Sequence, residues 1–236
     1  GLSLSFFDLA AHTKKFPSWK LARDHYAAVA GVATNGQAPR DPAEHLVFMP
    51  WNPGTENLAT LWSSKKPGVT VQAVQAAGGR LARYRDQYTV IALPIFGPGL
   101  AAADPVGWVL YNTTGKELPI FHGKDKTTGK MKISWKKMKT TGASESGILG
   151  RHALDRLQRA TKDEQFVIWK VEGPSDLLTL WATIPADRHD RHLVLTNAGG
   201  ANETPKSWMS TIFAGRQVPV LGDADEPGQV GAAKWA

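Results

Sequence analysis

The stretch FVIWKVEGPSDLLTL, residues 166–180, decides the fold of the second half of the chain. Residues 166–171 are mostly apolar and β-branched or aromatic, which predicts a buried strand. Glu172 and Gly173 follow this strand directly, and the pattern of residues 175–184 predicts a helix. The strand is therefore expected to lead straight into a helix, with an acidic residue at the junction.

The same alternation continues along the rest of the chain. Further strands are predicted at residues 192–196 and 218–221, and further helices at residues 204–214 and 228–236. Strands that alternate with helices are typical of a parallel sheet with helices on both faces. The region from residue 161 onward is therefore predicted to be an α/β domain.

Three acidic residues follow strands of this predicted sheet. Glu172 follows the first strand, and Asp223 and Asp225 follow the third. In open parallel sheets, ligands bind outside the carboxyl ends of the strands. Converging carboxylates repel one another unless a cation binds between them, and Mg²⁺ or Mn²⁺ prefers oxygen ligands. The pattern predicts a divalent-metal site, and the alternative is that these residues cap helices or lie in loops.

Two motifs in this region resemble those of the Toprim family, the Rossmann-like, metal-binding core of primases, topoisomerases and some nucleases. VEGPSD, residues 171–176, is similar to the first motif, with Gly173 after the glutamate and Asp176 near the start of the helix. GDADEPG, residues 222–228, is similar to the second, which ends here at Gly228. The resemblance implies that Glu172, Asp223 and Asp225 are catalytic and bind Mg²⁺ or Mn²⁺, whereas Asp176 is interpreted as a structural residue of the first helical turn.

The first 160 residues are predicted to form an α+β subdomain. Helices are expected at residues 18–30, 69–77 and 151–160, and strands at residues 45–49, 88–96 and 106–111, the last two paired across a Gly-rich turn. Residues 84–111 and 142–157 resemble the region that precedes Toprim in bacterial and phage primases. The resemblance implies an N-terminal α+β subdomain over residues 1–160 and a Toprim domain over residues 161–236, truncated at its C-terminal end, in a fragment of a longer primase or primase-helicase.

Residues 124–139 are strongly basic. This segment contains seven lysines and one acid, Asp125, and it also contains Trp135. Such a density suits contacts with nucleic-acid phosphates, and Trp135 could stack on a base, although a solvated loop is an equally good interpretation. The candidate nucleic-acid-binding residues are Lys124, Lys126, Lys130, Lys132, Lys136, Lys137 and Lys139.

Composition narrows the function further. The chain has 28 basic and 21 acidic residues, which favours polyanionic partners, and it has no cysteine, which excludes disulfides, thiolate-bound zinc and thiol catalysis. Its apolar runs are far shorter than the roughly 20 residues of a membrane-spanning helix. No membrane association is expected, and the resemblance implies a cytoplasmic protein encoded by a bacterium or phage.

The sequence as a whole favours a DNA primase core that synthesises RNA primers on single-stranded DNA from ribonucleoside triphosphates, with a replicative helicase as a further partner in cis or in trans. Two alternatives stay open. The first is a Toprim nuclease that depends on a metal. The second is a non-catalytic, primase-like module that holds single-stranded DNA for a replicative helicase.

Overall fold

The structure is a computed structural model, and it describes residues 43–52, 54, 56–57, 62, 66, 68–98, 104–125, 127–142, 147–161, 164–200 and 203–235. These residues fall within one compact unit. The helix predicted at residues 18–30 and the candidate Lys126 lie outside the described residues. The fold is mixed α/β, as predicted.

The first half of the described chain forms a five-stranded antiparallel sheet in the order β1-β2-β3-β4-β7. Strands β3 and β4 pair along their lengths from Val90↔Asn112 to Ile95↔Gly107, which confirms the predicted pairing of these two segments. The strands are β1 Leu46–Phe48, β2 Arg80–Tyr84, β3 Tyr88–Ile95, β4 Gly107–Asn112 and β7 Met138–Gly142, and helix α1, Val71–Ala76, precedes β2.

Much of the described basic segment lies in strands, which are joined by a turn and are largely exposed to solvent. Strands β5, Leu118–Lys124, and β6, Met131–Lys136, pair with each other to form a separate two-stranded ribbon. Leu118 is fully buried at the base of this ribbon, whereas β5 becomes exposed from Phe121 onward. The chain then returns through β7 to the edge of the five-stranded sheet.

The second half forms a four-stranded sheet in the order β11-β9-β10-β8. Strand β9 pairs in parallel with both β10 and β11, as the βαβ pattern predicted. Strand β8, which the sequence analysis did not predict, is antiparallel to β10 at the edge. These strands are β8 Ile148–Leu149, β9 Val167–Val171, β10 His192–Asn197 and β11 Val220–Leu221, and the helices are α2 Arg151–Arg159, α3 Pro174–Thr183, α4 Ser210–Phe213 and α5 Glu226–Ala233.

Two predicted elements are shorter than expected. The helix predicted at residues 204–214 is replaced by a 3₁₀ turn, Ser207–Met209, and the single turn α4, because the backbone of Lys206 is extended and the helical turns begin only after it. The strand predicted at residues 218–221 is reduced to Val220–Leu221. Pro219 has no N–H to donate to a ladder, although its carbonyl accepts a hydrogen bond from Lys170 N–H at 2.9 Å.

The two sheets share hydrophobic contacts. Val74 and Leu93 from the first half belong to the same buried cluster as Val171, Leu178 and Val194 from the second. The end of β3 is also joined to β8, because Phe96 and Ile148 exchange two backbone hydrogen bonds of 2.8 and 2.9 Å. Strand β8 thus connects the two sheets, although it precedes the domain boundary predicted between residues 160 and 161. The boundary stays a prediction.

Within the described ranges, no helix combines the length and the apolar character that a membrane span requires.

Candidate functional site

The candidate site lies in the second sheet, at the point where successive strands are added on opposite sides of β9. The chain passes from β9 to its neighbour β10 on one side and then crosses to β11 on the other side of β9. Such a topological switch point leaves a crevice outside the carboxyl ends of the two strands that flank it. Glu172 follows β9 and Gly222 follows β11 at this edge.

Glu172 and Asp223 are joined by a direct hydrogen bond. The Glu172 Oε2 atom accepts from the backbone N–H of Asp223 at 2.9 Å. The parallel register places Val171 opposite Leu221, so each strand ends immediately before its acidic segment. The structure therefore brings together two of the three acidic residues that the sequence singled out.

The loop after β11 is packed against helix α5 through backbone atoms. A Cβ atom on Gly228 would lie 2.4 Å from the Asp223 carbonyl oxygen, and one on Gly222 would lie 2.5 Å from the Gly228 carbonyl oxygen. Contacts this short exclude any side chain at either position unless the backbone moves. These glycines set the position of Asp223 relative to Glu172.

A crevice of about 550 Å³ opens beside this pair, and its lining includes Glu172, Asp176, Asp223 and Lys66. Asp176 also accepts a hydrogen bond from Gly173 N–H at 2.9 Å, which stabilises the start of α3. Partial burial raises the pKa of Asp176, the charge of Asp223 raises it further, and the hydrogen bond from Gly173 opposes both effects. Asp176 therefore stabilises the first turn of α3 through the Gly173 amide and also lines the acidic crevice, a second position that the sequence analysis did not predict.

Asp225 has a different role from Asp223. Its Oδ1 atom accepts from Gly228 N–H at 2.8 Å, and the residue is the N-cap of α5. Asp225 therefore caps a helix, which is the alternative role that the sequence left open for these acidic residues. Across the described ranges, no group of three or more His, Asp or Glu side chains is placed so that it could hold a metal ion.

The donor chemistry at the crevice nevertheless suits a hard divalent cation. Glu172, Asp176 and Asp223 offer carboxylate oxygens, which Mg²⁺ and Mn²⁺ prefer, and all three line the same cavity. Glu172 uses one oxygen for Asp223 N–H. The metal site itself stays a prediction.

A buried polar network behind this edge was missed by the sequence analysis. Lys170 is only 3% exposed, donates to the Val171 carbonyl at 2.7 Å and lies 4.4 Å from the centre of the Trp235 ring. Burial lowers the pKa of Lys170 to about 8, while the charges of Glu203, Glu172 and Asp176 raise it. A lysine within an otherwise apolar strand was the feature of the sequence that could have indicated this network.

Glu203, in the loop after β10, is the carboxylate whose charge acts most strongly on Lys170. One of its oxygens, Oε2, accepts from Asn197 Nδ2 and from Gly199 N–H, both at 2.7 Å. Asn197 Nδ2 also donates to the Gly200 carbonyl at 2.9 Å. The Gly199 amide is therefore engaged inside the protein, as expected of a turn at Gly199-Gly200.

The candidate lysines lie mainly on the ribbon and the turn that follows it. The Lys132 ammonium pairs with Asp125 at 2.8 Å, and Lys139 lies 5.6 Å from the centre of the Tyr84 ring. The exposed lysines among the described candidates are Lys124, Lys130, Lys132, Lys136 and Lys137.

No family model matches the sequence, and no curated protein matches it. One solved structure with a similar chain is that of bacteriophage T7 lagging-strand DNA polymerase interacting with primase domains of two gp4 subunits bound to an RNA/DNA hybrid and dTTP. The two chains are 18% identical, the similar region covers 76% of this chain and 66% of that chain, and the TM-score is 0.42. Similarity this low carries no conclusion about function.

Proposed function

We propose that this chain is the catalytic core of a Toprim-type DNA primase, which joins ribonucleotides on a single-stranded DNA template by metal-dependent nucleotidyl transfer. One observation carries the proposal: Glu172 and Asp223, from the two motifs, meet across 51 residues of sequence at the switch point of a parallel sheet. Carboxylates at this position beside an open crevice suit the binding of a metal and a nucleotide.

In this proposal, the acidic residues bind the metal ions. Glu172, Asp223 and Asp225 would hold Mg²⁺ or Mn²⁺, with Asp225 also holding the start of α5. When bound, such ions supply charge for activating a 3′ hydroxyl and for stabilising the leaving pyrophosphate. Glu172 could instead accept the proton of the attacking hydroxyl, since it lies at the same crevice.

The exposed lysines of residues 124–139 would contact the phosphates of the template. Ribonucleoside triphosphates would be the substrates, and a replicative helicase, in cis or in trans, would be the partner that supplies single-stranded DNA. A core of this kind would act in the cytoplasm of a bacterium.

The test is primer synthesis. The protein is incubated with single-stranded DNA, ribonucleoside triphosphates of which one is labelled, and Mg²⁺ or Mn²⁺, and the products are separated by length. We expect labelled oligoribonucleotides from the wild-type protein and none from Asp223→Ala. Asp187→Ala is the matched control, because Asp187 is an exposed aspartate in the 3₁₀ turn Ala186–Arg188, which precedes the amino end of β10. Synthesis by Asp223→Ala at the wild-type level would contradict the assignment, and shortened DNA in place of new RNA would indicate a nuclease.

The position of Asp225 favours a second candidate function. Its carboxylate caps α5, and across the described ranges no three acidic side chains form a ready metal cluster. A primase-like module that binds single-stranded DNA without catalysis would need no such cluster. The same incubation tests this candidate, because binding of the DNA without any new or shortened product would support it.

A further inference from the structure

The β5–β6 ribbon extends beyond the hydrophobic core. At its base, Leu118 is buried in a cluster with Tyr84 and Leu110. Beyond Phe121 the register shifts at a bulge, where Gly123 has a φ of 88°, and bulges of this kind increase the twist of a ribbon. The outer part of the ribbon therefore presents both of its faces to solvent.

One face of the ribbon is apolar. Met131, Ile133 and Trp135 alternate along β6 and so project from the same face, and Ile133 lies directly opposite Phe121 on β5. The exposed fractions are 36% for Phe121, 48% for Met131, 46% for Ile133 and 53% for Trp135. Four large apolar side chains together in solvent mark an interaction surface rather than a scatter of single exposed residues.

The charge around this face indicates which kind of partner binds to it. Lys124 pairs with Met131 across the ribbon and so projects from the apolar face, where the Arg85 guanidinium lies 4.4 Å from the centre of the Phe121 ring. Lys132 and Lys136 alternate with the apolar residues along β6 and project from the other face. Asp125, the one acid of the segment, is paired with Lys132. The surface therefore combines flat apolar area with an excess of positive charge.

We propose that the β5–β6 ribbon is an arm that binds single-stranded nucleic acid, with bases stacked on Phe121, Ile133 and Trp135 and phosphates neutralised by the surrounding lysines. A single strand is the polyanion that also carries flat, weakly polar faces, so it matches both properties of the surface at once. This inference deepens the proposed function, and it rests on that function only for the view that the strand is a template.

A second copy of the chain fits this surface less well. The chain carries a net charge of +7, and two ribbons facing each other would oppose lysine to lysine. An acidic protein would match the charge but has no planar bases to stack on Trp135. These two occupants therefore become outcomes of the test.

The test measures binding of a fluorescein-labelled oligothymidylate of about 12 nucleotides by anisotropy, over a series of salt concentrations in EDTA. EDTA separates binding from synthesis, so the result does not depend on the metal site. We expect Trp135→Ala to weaken binding about 5- to 100-fold with an unchanged salt slope, because it removes stacking and no charge. Trp135→Phe keeps an aromatic ring and should retain most of the affinity.

The lysines are tested in the same assay. Replacing Lys132, Lys136 and Lys137 together with alanine should reduce the salt slope by about 0.7 for each phosphate that the variant no longer neutralises. Val47→Ala is the control, because Val47 is a 59% exposed apolar residue on β1, at the edge of the five-stranded sheet opposite β7. Its affinity should equal that of the wild-type protein.

Three results would overturn the inference. The first is wild-type affinity in Trp135→Ala. The second is displacement of the oligonucleotide by polyglutamate at equal charge concentration as effectively as by unlabelled oligothymidylate, which would mean that the surface recognises charge alone. The third is a dimer in sedimentation velocity that Trp135→Ala dissociates. If Trp135→Ala binds the oligonucleotide like the wild-type protein and still synthesises primers, the ribbon is not the binding surface. The proposed function would still be supported by that result.

Discussion

The Glu172 carboxylate accepts a hydrogen bond from the Asp223 backbone at 2.9 Å, which ties the end of β9 to the loop after β11. The bond has a structural role and engages Oε2, one of the two carboxylate oxygens of Glu172, a residue that lines the crevice. The hydrogen bond needs only an acceptor atom at this residue, whereas the proposed binding of a metal needs a negative charge.

Two substitutions of Glu172 separate these properties. Glu172→Gln keeps an oxygen acceptor, so we expect its free energy of unfolding in urea to lie within about 0.5 kcal/mol of the wild-type value. Glu172→Ala loses the hydrogen bond and should cost about 1 kcal/mol. Both variants should lose primer synthesis. Synthesis by Glu172→Gln at the wild-type rate would show that the charge of Glu172 is not needed.

Gly228→Ala should displace the acidic loop. The new Cβ atom would lie 2.4 Å from the Asp223 carbonyl oxygen, so the backbone must move, and overpacking of this kind costs about 1–3 kcal/mol. The measurement is urea unfolding together with primer synthesis. Val230→Ala in the same helix is the control, because Val230 is 53% exposed and its truncation should change stability by less than about 0.5 kcal/mol. Equal stability of Gly228→Ala and the control would contradict the close packing.

The buried carboxylate of Glu203 gives a third prediction. Glu203→Ala leaves Asn197 Nδ2 without one acceptor and the Gly199 N–H without its partner, and we expect a loss of about 2–4 kcal/mol in the free energy of unfolding. Glu203→Gln can keep an oxygen at this position and should lose clearly less. Urea denaturation of the two variants measures the difference, and equal losses would mean that the negative charge, rather than the hydrogen bonds, holds the loop.

The turn of the ribbon should respond to acid. The hydrogen bonds to Asp125 from Lys132, Thr127 and Thr128 lower the pKa of its carboxyl from 3.8 to about 2. Because the folded pKa is the lower one, the stabilisation of the turn is present above pH 3.8 and is lost as the pH falls towards 2. An NMR titration of the Asp125 carboxyl should show a midpoint near the lowered value.

Lys132→Met should move that midpoint upward, because it removes the hydrogen bond that lowers the pKa of Asp125 most. Lys130→Met is the matched control, since it removes a neighbouring charge and leaves the Asp125–Lys132 pair in place. A midpoint that is the same in all three proteins would show that the ion pair seen at 2.8 Å does not persist in solution.

Local pattern sufficed for many of the elements. The apolar segments at β3, β4, β9 and β10 and the helices α1, α2 and α3 were predicted within a few residues, because their periodicity and their Gly and Pro boundaries act locally. The position of Glu172 directly after β9 followed from the same reasoning. The helix predicted at residues 204–214 was wrong in its first part, because Lys206 is extended and the helical turns begin only at Ser207.

Sequence by itself determined the alternation of strands and helices, the placement of acidic residues after β9 and β11, and the concentration of lysine in residues 124–139. Tertiary structure alone decided that Asp223 meets Glu172 while Asp225 caps α5, that Lys170 is buried beside Trp235, and that the basic segment is a ribbon with one apolar face. The physical reason is that strand order, register and burial depend on contacts between residues far apart in the chain, and a local pattern carries no information about which of those contacts form.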